Sequence, residues 1–180
     1  MCNKWCIGFG VANIKKEEIE NKDVIEVGSY NVNGSLREHV LKLHPRKYMG
    51  VDIKEGKFVD VVCNAYNLLE KFGEKSFDFV LSTEMMEHVE DWRKVISNFK
   101  DVCRPNGIMM ITTRSKGFGK HDYPGDYWRY EIDDMKKIFA DCTIEALEKD
   151  KRSPGVFIKV RKPLNFVKKD LSEIQLYKII

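Results

Sequence analysis

The sequence predicts one α/β domain: a doubly wound, mostly parallel sheet that ends in an antiparallel hairpin. Three observations carry this. Short β-branched runs alternate with segments of helical periodicity along the chain. The early runs stop at Gly, Asp, Asn or Ser, the residue types of turns beyond strand ends. The last two runs are joined by Asp150 to Gly155, a link too short for a helical crossover.

The elements follow in order. Val24 to Val27 is the first strand, closed by Gly28. A helix is expected from Ser35 to Leu43, because Leu36, Val40 and Leu43 recur at helical spacing. Lys47 to Val51 is the second strand and ends at Asp52. Phe58 to Val62 reads as the third strand, ending near Asn64, with a short helix from Ala65 to Phe72. Phe77 to Leu81 is the fourth and ends at Ser82. Asp91 is placed to cap a helix whose inner face holds Trp92, Val95, Ile96, Phe99 and Val102. Pro105-Asn106-Gly107 breaks the chain before a fifth strand, Ile108 to Thr112. After a long loop come a helix, Ile132 to Ala140, and the hairpin of Cys142 to Glu148 and Val156 to Arg161. Further helices are expected over Lys15 to Glu20 and over the last ten residues. The domain is therefore read as 23–162, with an N-terminal extension 1–22 and a basic C-terminal tail 163–180.

With 43% hydrophobic and 33% charged residues, the composition is that of a globular protein and excludes a disordered or fibrous one. The uncharged apolar runs fall far short of the ~20 residues of a membrane span. The stretch from Met1 to Cys6 holds no apolar run that could serve as a signal peptide, so a cytoplasmic location is expected. The cysteines, at 2, 6, 63, 103 and 142, are odd in number and scattered, which argues against a disulfide scaffold. Cys2 and Cys6 lack a second pair at zinc spacing, so no metal site is expected. The net charge is +3, but eight Lys or Arg against one acid, Asp150, lie between Lys149 and Lys169. That segment is either a solvated edge and tail or a patch for phosphate or nucleic acid.

In an open parallel sheet, ligands bind beyond the carboxyl ends of the strands. The first strand ends in Glu26, Gly28, Ser29, Asn31 and Gly34, where the glycines permit a tight turn. The second ends in Asp52, an acid able to accept both hydroxyls of a ribose. The third ends in Asn64-Ala65, and the fourth in Ser82-Thr83-Glu84-Met85-Met86-Glu87-His88.

Val24 to Gly34, then Gly50 to Ile53, then Phe77 to Trp92 together resemble a class I S-adenosylmethionine-dependent methyltransferase, most closely the small-molecule group called methyltransferase domain 11. The resemblance runs from about Asp23 to Lys162 and implies a Rossmann-like fold with S-adenosylmethionine as cofactor. By position it implies that Glu26 organises the loop around the methionine amine and that Gly28, Ser29 and Asn31 pass under the cofactor. It further implies that Asp52 holds the ribose, Ile53 packs on the adenine, and Asn64 and Ala65 meet the adenine edge. Ser82, Thr83 and Glu84 would line the methionine and the transfer site. The usual loop carries three alternating glycines; here Tyr30 and Val32 stand at the second and third, so Asn31 and Asn33 are expected to take left-handed geometry instead.

Between the fifth strand and the next helix, His121 to Tyr130 packs an unusual density of aromatic and ionisable groups. It is either a lid packed on the sheet edge or an acceptor pocket. In the second case His121 and His88 are the candidate bases, Asp122 and Asp126 would orient the His or bind sugar hydroxyls, and Tyr123, Trp128 and Arg129 would contact the acceptor. Arg129 would hold a carboxylate or phosphate, or pair with Glu131. The expected activity is methyl transfer to a hydroxyl, amine or carboxylate of a small molecule or sugar. Three alternatives stay open: an RNA methyltransferase using the basic segment, a non-catalytic cofactor-binding protein, and a nicotinamide enzyme. The last lacks the strict Gly-x-Gly-x-x-Gly after the first strand. The Asn/Asp-Pro-Pro-Tyr motif common in DNA base N-methylation is absent after the fourth strand, and no Cys follows a Pro as cytosine C5 methylation requires.

Overall fold

Strand β1 (Asp23–Val27) lies inside the sheet, with β2 (Lys47–Asp52) on one side and β4 (Phe77–Thr83) on the other, all parallel. The computed structural model describes residues 4–121 and 125–179. Adding β3 (Val61–Val62), β5 (Cys103–Arg114), β7 (Thr143–Lys149) and β8 (Gly155–Arg161) gives a seven-stranded sheet in the order β3-β2-β1-β4-β5-β8-β7. Only β8 runs against its neighbours, pairing antiparallel with both β5 and β7. The sheet is thus the doubly wound, Rossmann-like one expected, closed by the hairpin.

Side-chain alternation sends successive residues of each strand to opposite faces. Val24, Phe79 and Leu81 bury against α1 (Lys4–Asn13), through Cys6 and Phe9, and against α2 (Arg37–Leu41), through Val40. Ile25, Val27 and Val80 bury on the other face, with Leu68 of α3 (Leu68–Phe72), the Trp92–Phe99 stripe of α4 (Trp92–Val102), and Met135 and Ile138 of α5 (Ile132–Ile138). The Asp91 carboxylate caps α4 by accepting from the Lys94 backbone N–H at 3.1 Å.

Four expectations are corrected. The third strand shrinks to Val61–Val62 because Phe58 turns into left-handed geometry (φ 74°) and the Asp60 side chain takes the Gly50 N–H and the Arg37 guanidinium. Lys15 to Glu20 forms a single 3₁₀ turn, Lys16–Glu18, while α1 precedes it. The C-terminal residues are not helical: Tyr177–Lys178 form β9, paired antiparallel with β6 (Trp128–Arg129). Asn31 and Asn33 keep negative φ; Gly28 (φ 81°) and Gly34 (φ 127°) make the turn.

The described segments on either side of residues 23–162 pack against the domain. Cys6 of α1 meets Thr112 of β5 at 3.1 Å, and Leu171 and Leu176 of the tail lie in the main core. Three cations of the basic segment are tied inward, while Lys149, Lys151, Arg152, Lys168 and Lys169 are exposed. The Lys159 ammonium is buried against Glu18 at 2.6 Å, Arg161 meets Glu18 at 3.1 Å and Glu145 at 2.5 Å, and Lys162 donates to the Lys100 and Cys103 carbonyls. Among the described residues no helix is long and apolar enough to cross a membrane.

Candidate functional site

The carboxyl ends of β1, β2, β3 and β4 open into one cavity of about 950 Å³. Glu26, Asp52, Asn64 and Glu84 all line it, each from a different strand end or the turn beyond. Its two halves differ in character.

At the first half the groups are strand-end acids and backbone. The Asp52 carboxylate accepts from the Tyr30 N–H at 3.1 Å and from the Ile53 N–H at 2.8 Å, one bond per oxygen. An ionised carboxylate has about four acceptor positions, so both oxygens keep a lone pair for a diol. Beside it Ile53 is 50% exposed, an apolar face at the cavity wall with nothing yet to cover it. Asn64 uses its side-chain oxygen to cap the 3₁₀ turn Ala65–Asn67, accepting from Tyr66 N–H at 2.9 Å, which leaves its NH₂ as the donor.

Glu26 is buried and takes hydrogen bonds from the Tyr48 hydroxyl at 2.6 Å and the Ser35 hydroxyl at 3.4 Å. Burial raises its pKa to about 7, with Tyr48, Arg37 and Ser35 pulling the other way. The next turn is fixed by backbone: Gly28 and Ser29 N–H both donate to the Val51 carbonyl, at 2.9 and 3.0 Å. A Cβ on Gly28 would meet Met85 at 2.7 Å, and its φ of 81° is one that side chains resist. The glycine therefore keeps the loop flat against the cavity floor. Tyr30, at the missing second glycine, lays its ring on Gly56 and under the Lys54 ammonium, 5.1 Å away. Asn31 serves the same loop from outside the cavity, accepting from Gly34 N–H at 2.8 Å.

At the second half the groups are ionisable and buried. Glu84 is held with φ 54°, its N–H on the Thr112 carbonyl at 2.9 Å, and its carboxylate pairs with the Arg114 guanidinium. A left-handed non-glycine residue costs on the order of 1 kcal/mol and is a mark of functional sites. Burial, then the neighbouring Glu87, raise the Glu84 pKa above the usual carboxylate range, and Arg114 opposes them. Ser82, by contrast, is buried inside the sheet and does not reach the cavity, whereas Thr83 does.

His88 and His121 meet at the cavity wall with ring centroids 4.7 Å apart. His88 Nδ1 contacts the Gly125 carbonyl. His121 Nδ1 lies 3.0 Å from Asp126 Oδ2, and the same oxygen accepts the His121 N–H at 2.9 Å. Desolvation lowers the His121 pKa, against the raising effect of Asp126. The imidazole is therefore neutral at neutral pH.

Asp126, Trp128 and Arg129 stand behind this wall, not in it. Arg129 is fully buried; its Nη2 donates to Asp126 Oδ2 at 2.7 Å and to the Gly119 carbonyl at 3.1 Å, so its partner is Asp126 and not Glu131. These contacts hold the Asp126 pKa down, to about 2, against the burial that would raise it. Trp128 donates its indole N–H to the Glu90 carbonyl at 2.9 Å. The Tyr127 N–H on the Glu87 carbonyl (2.8 Å) and the Tyr130 hydroxyl on the Met86 carbonyl (3.1 Å) complete the clasp on the turn after β4. Asp122 and Tyr123 lie outside the described residues.

Comparison with known proteins bears on this arrangement. A methyltransferase-domain family model matches residues 10–148. The chain belongs to that family. This methyltransferase domain is similar to the ubiquinone biosynthesis O-methyltransferase of Coxiella burnetii, 26% identical over 119 residues that cover 58% of this chain and 49% of that one. Over 53 residues it is 34% identical to phosphoethanolamine N-methyltransferase 2 of Caenorhabditis elegans, covering 29% of this chain and 12% of the relative. The domain thus spans about half or less of the curated relatives it matches. Among solved structures it superposes on the Burkholderia thailandensis 1,6-didemethyltoxoflavin-N1-methyltransferase with bound 1,6-didemethyltoxoflavin and S-adenosylhomocysteine. That match has a TM-score of 0.66 at 15% identity and covers 87% of this chain and 78% of the other. At that identity the likeness is one of fold.

Some residues at or behind the cavity carried no readable signal. Glu87 and Arg114 are buried charges behind its lining whose partners come from other strand ends, and Tyr127 lines the cavity from within the aromatic loop. Glu87 stands next to His88 in the motif, and only its complete burial marks it out.

Proposed function

We propose that this methyltransferase domain transfers a methyl group from S-adenosylmethionine to an oxygen or nitrogen of a small-molecule acceptor. The observation that carries the reading is that one cavity joins a diol-accepting acid and an apolar wall at one end to two histidines at the other. Asp52 would hold the ribose, Ile53 and Asn64 the adenine, and Glu26 with the Gly28–Ser29 turn the methionine half. The cofactor supplies the electrophilic methyl, so what is asked of the chain is to position the acceptor and take its proton. His121 is the proposed base: Asp126 accepts from its Nδ1–H, which leaves the lone pair on Nε2 of a residue that lines the cavity. His88, whose Nδ1 is tied to Gly125, would orient the acceptor. Glu84, paired with Arg114, shapes the wall where the methyl is exchanged.

The inward-tied Lys159, Arg161 and Lys162 support a small acceptor over a nucleic acid, since these charges already have protein partners. Isothermal calorimetry with S-adenosylhomocysteine tests the cofactor half. Binding is expected in wild type and lost or weakened in Asp52→Ala; a folded wild-type chain that binds neither it nor S-adenosylmethionine refutes the proposal.

A further inference from the structure

We infer that Glu87, His88 and His121 form a binding site for one divalent ion of the zinc class at the acceptor end of the cavity. The inference rests on the reading of that end as the acceptor end only for the ion's role, not for its binding. The ligand atoms of the three residues all lie within 4.8 Å of one another. Glu87 Oε1 is 3.9 Å from His88 Nε2 and 3.9 Å from His121 Nε2.

The protonation pattern decides what these atoms can do. The Gly125 carbonyl can only accept, so His88 Nδ1 donates to it and, in the neutral ring a metal ligand needs, His88 Nε2 carries the lone pair. Asp126 is ion-paired to Arg129 and also only accepts, so His121 Nδ1 donates to it and His121 Nε2 carries a lone pair. Glu87 Oε2 accepts from the Thr113 hydroxyl at 2.8 Å, which turns Oε1 toward the histidines. Among the described residues Glu87 Oε1 and His121 Nε2 are buried without a hydrogen-bond partner. Three electron-pair donors therefore converge with no donor hydrogen between them. A buried orphan carboxylate oxygen costs more than the 1–3 kcal/mol of a neutral group, and the separations are too long for a hydrogen bond. A cation at the centre resolves this.

The dimensions suit such a cation. Tetrahedral zinc with bonds of about 2.0–2.1 Å has ligand atoms about 3.3 Å apart, so sub-ångström side-chain adjustments close the site. Two imidazoles and one carboxylate are a donor set for zinc-class ions, and each imidazole's other nitrogen already has the carbonyl or carboxylate that orients a metal ligand. Both histidines line the cavity, so the fourth coordination position opens toward the acceptor. An ion there would bind the acceptor's heteroatom and lower its proton affinity, so that the proton leaves to water before methyl transfer; with no ion bound His121 takes that proton itself.

The test uses the full chain without an affinity tag, stripped with a chelator and titrated with zinc chloride in the absence of cofactor. Binding of one ion is expected, weakened roughly tenfold or more in His121→Ala, His88→Ala and Glu87→Gln. The cobalt-loaded chain should show visible ligand-field bands and no thiolate charge-transfer band. Failure to bind zinc, an unchanged affinity in His121→Ala and His88→Ala, or a thiolate band would overturn the inference. Glu87 is a core position, so the two histidine variants decide if Glu87→Gln does not fold. Binding of S-adenosylhomocysteine is measured separately: zinc without the nucleoside would leave the site and remove the enzyme, and the nucleoside without zinc the reverse.

Discussion

Glu26 makes the stability of the unliganded chain depend on pH in a direction opposite to that of an ordinary ion-paired carboxylate. The perturbation is Glu26→Gln, which keeps the shape and removes the titration. In the folded chain the Glu26 pKa is raised from 4.5 to about 7 by burial. Below the unfolded value both states are protonated and the group imposes no penalty. Between there and about pH 7 the unfolded chain ionises while the folded chain does not, so stability falls as pH rises through this window. A raised value of this size corresponds to about 3 kcal/mol, since each pH unit is about 1.4 kcal/mol. The residue is 1% exposed, so solvent screening removes little of this. Thermal melts followed by circular dichroism, without ligand, should give near-equal midpoints for wild type and variant at about pH 4, below the unfolded value. Near pH 8 the variant should melt about 6–12 °C higher, using about 2–4 °C per kcal/mol for a domain of this size. Glu84, raised for the same reason, tilts both proteins alike and cancels in the difference. Parallel midpoint curves across the whole range would show that Glu26 is ionised in the folded chain and would refute the reasoning.

Further outcomes follow from the same geometry. Asp52→Ala should weaken S-adenosylhomocysteine binding by about 1.5–3 kcal/mol in calorimetry, the range for hydrogen bonds to a charged group. Gly28→Ala should lower the melting temperature, because about 1–2 kcal/mol of left-handed strain adds to the clash with Met85 Cγ and Cβ; Met85→Ala in the same chain removes only the Cγ contact, keeps the Cβ one and should recover little of the loss. In ion-free protein His121→Ala should reduce turnover by about 10²–10⁴-fold with cofactor affinity nearly unchanged, and a loss below about threefold in single-turnover kinetics would make it an orienting residue. Arg129→Lys should destabilise the fold by about 2 kcal/mol in denaturant titration, since a single ammonium cannot replace the paired bonds to Asp126 and the donor to Gly119.

What could be read from the sequence was whatever repeats at fixed places relative to a strand end. Glu26, Asp52, Asn64 and Glu84 are each the polar residue that follows a β-branched run, and the sheet topology brings them together without help from long-range detail. Elements too short to have a period were not readable. The strand Tyr177–Lys178 exists only because Trp128–Arg129 offers it an edge, and Phe58 leaves its strand because Arg37 draws Asp60 and the Phe58 carbonyl together, at 2.9 and 2.8 Å. Helix α1 was hidden for the opposite reason: Lys4–Asn13 is apolar with two glycines and shows no one-sided stripe. The cluster of Glu87, His88 and His121 has no sequence signature because its third member arrives from a different loop, whereas cysteine spacing marks only local metal sites.

The loop after β5 shows how residue types alone misplace roles. Arg129 and Asp126 have the chemistry of substrate contacts, yet the guanidinium is enclosed by Asp126 and the carbonyls of Phe118 and Gly119. A buried charge pair of this kind contributes little net stability compared with an apolar pair of the same size. Its value lies in direction. With Arg129 fixing both Asp126 oxygens, Oδ2 is held where it also accepts from His121, through both the ring nitrogen and the backbone N–H. His121 then has one ring orientation and one tautomer, with Nε2 beside Glu87 and His88. The same geometry serves a base and a metal ligand equally well, because both need a neutral imidazole whose free lone pair is aimed and cannot turn away. Which of the two tasks it performs therefore turns on whether an ion occupies the space that Glu87 Oε1 faces.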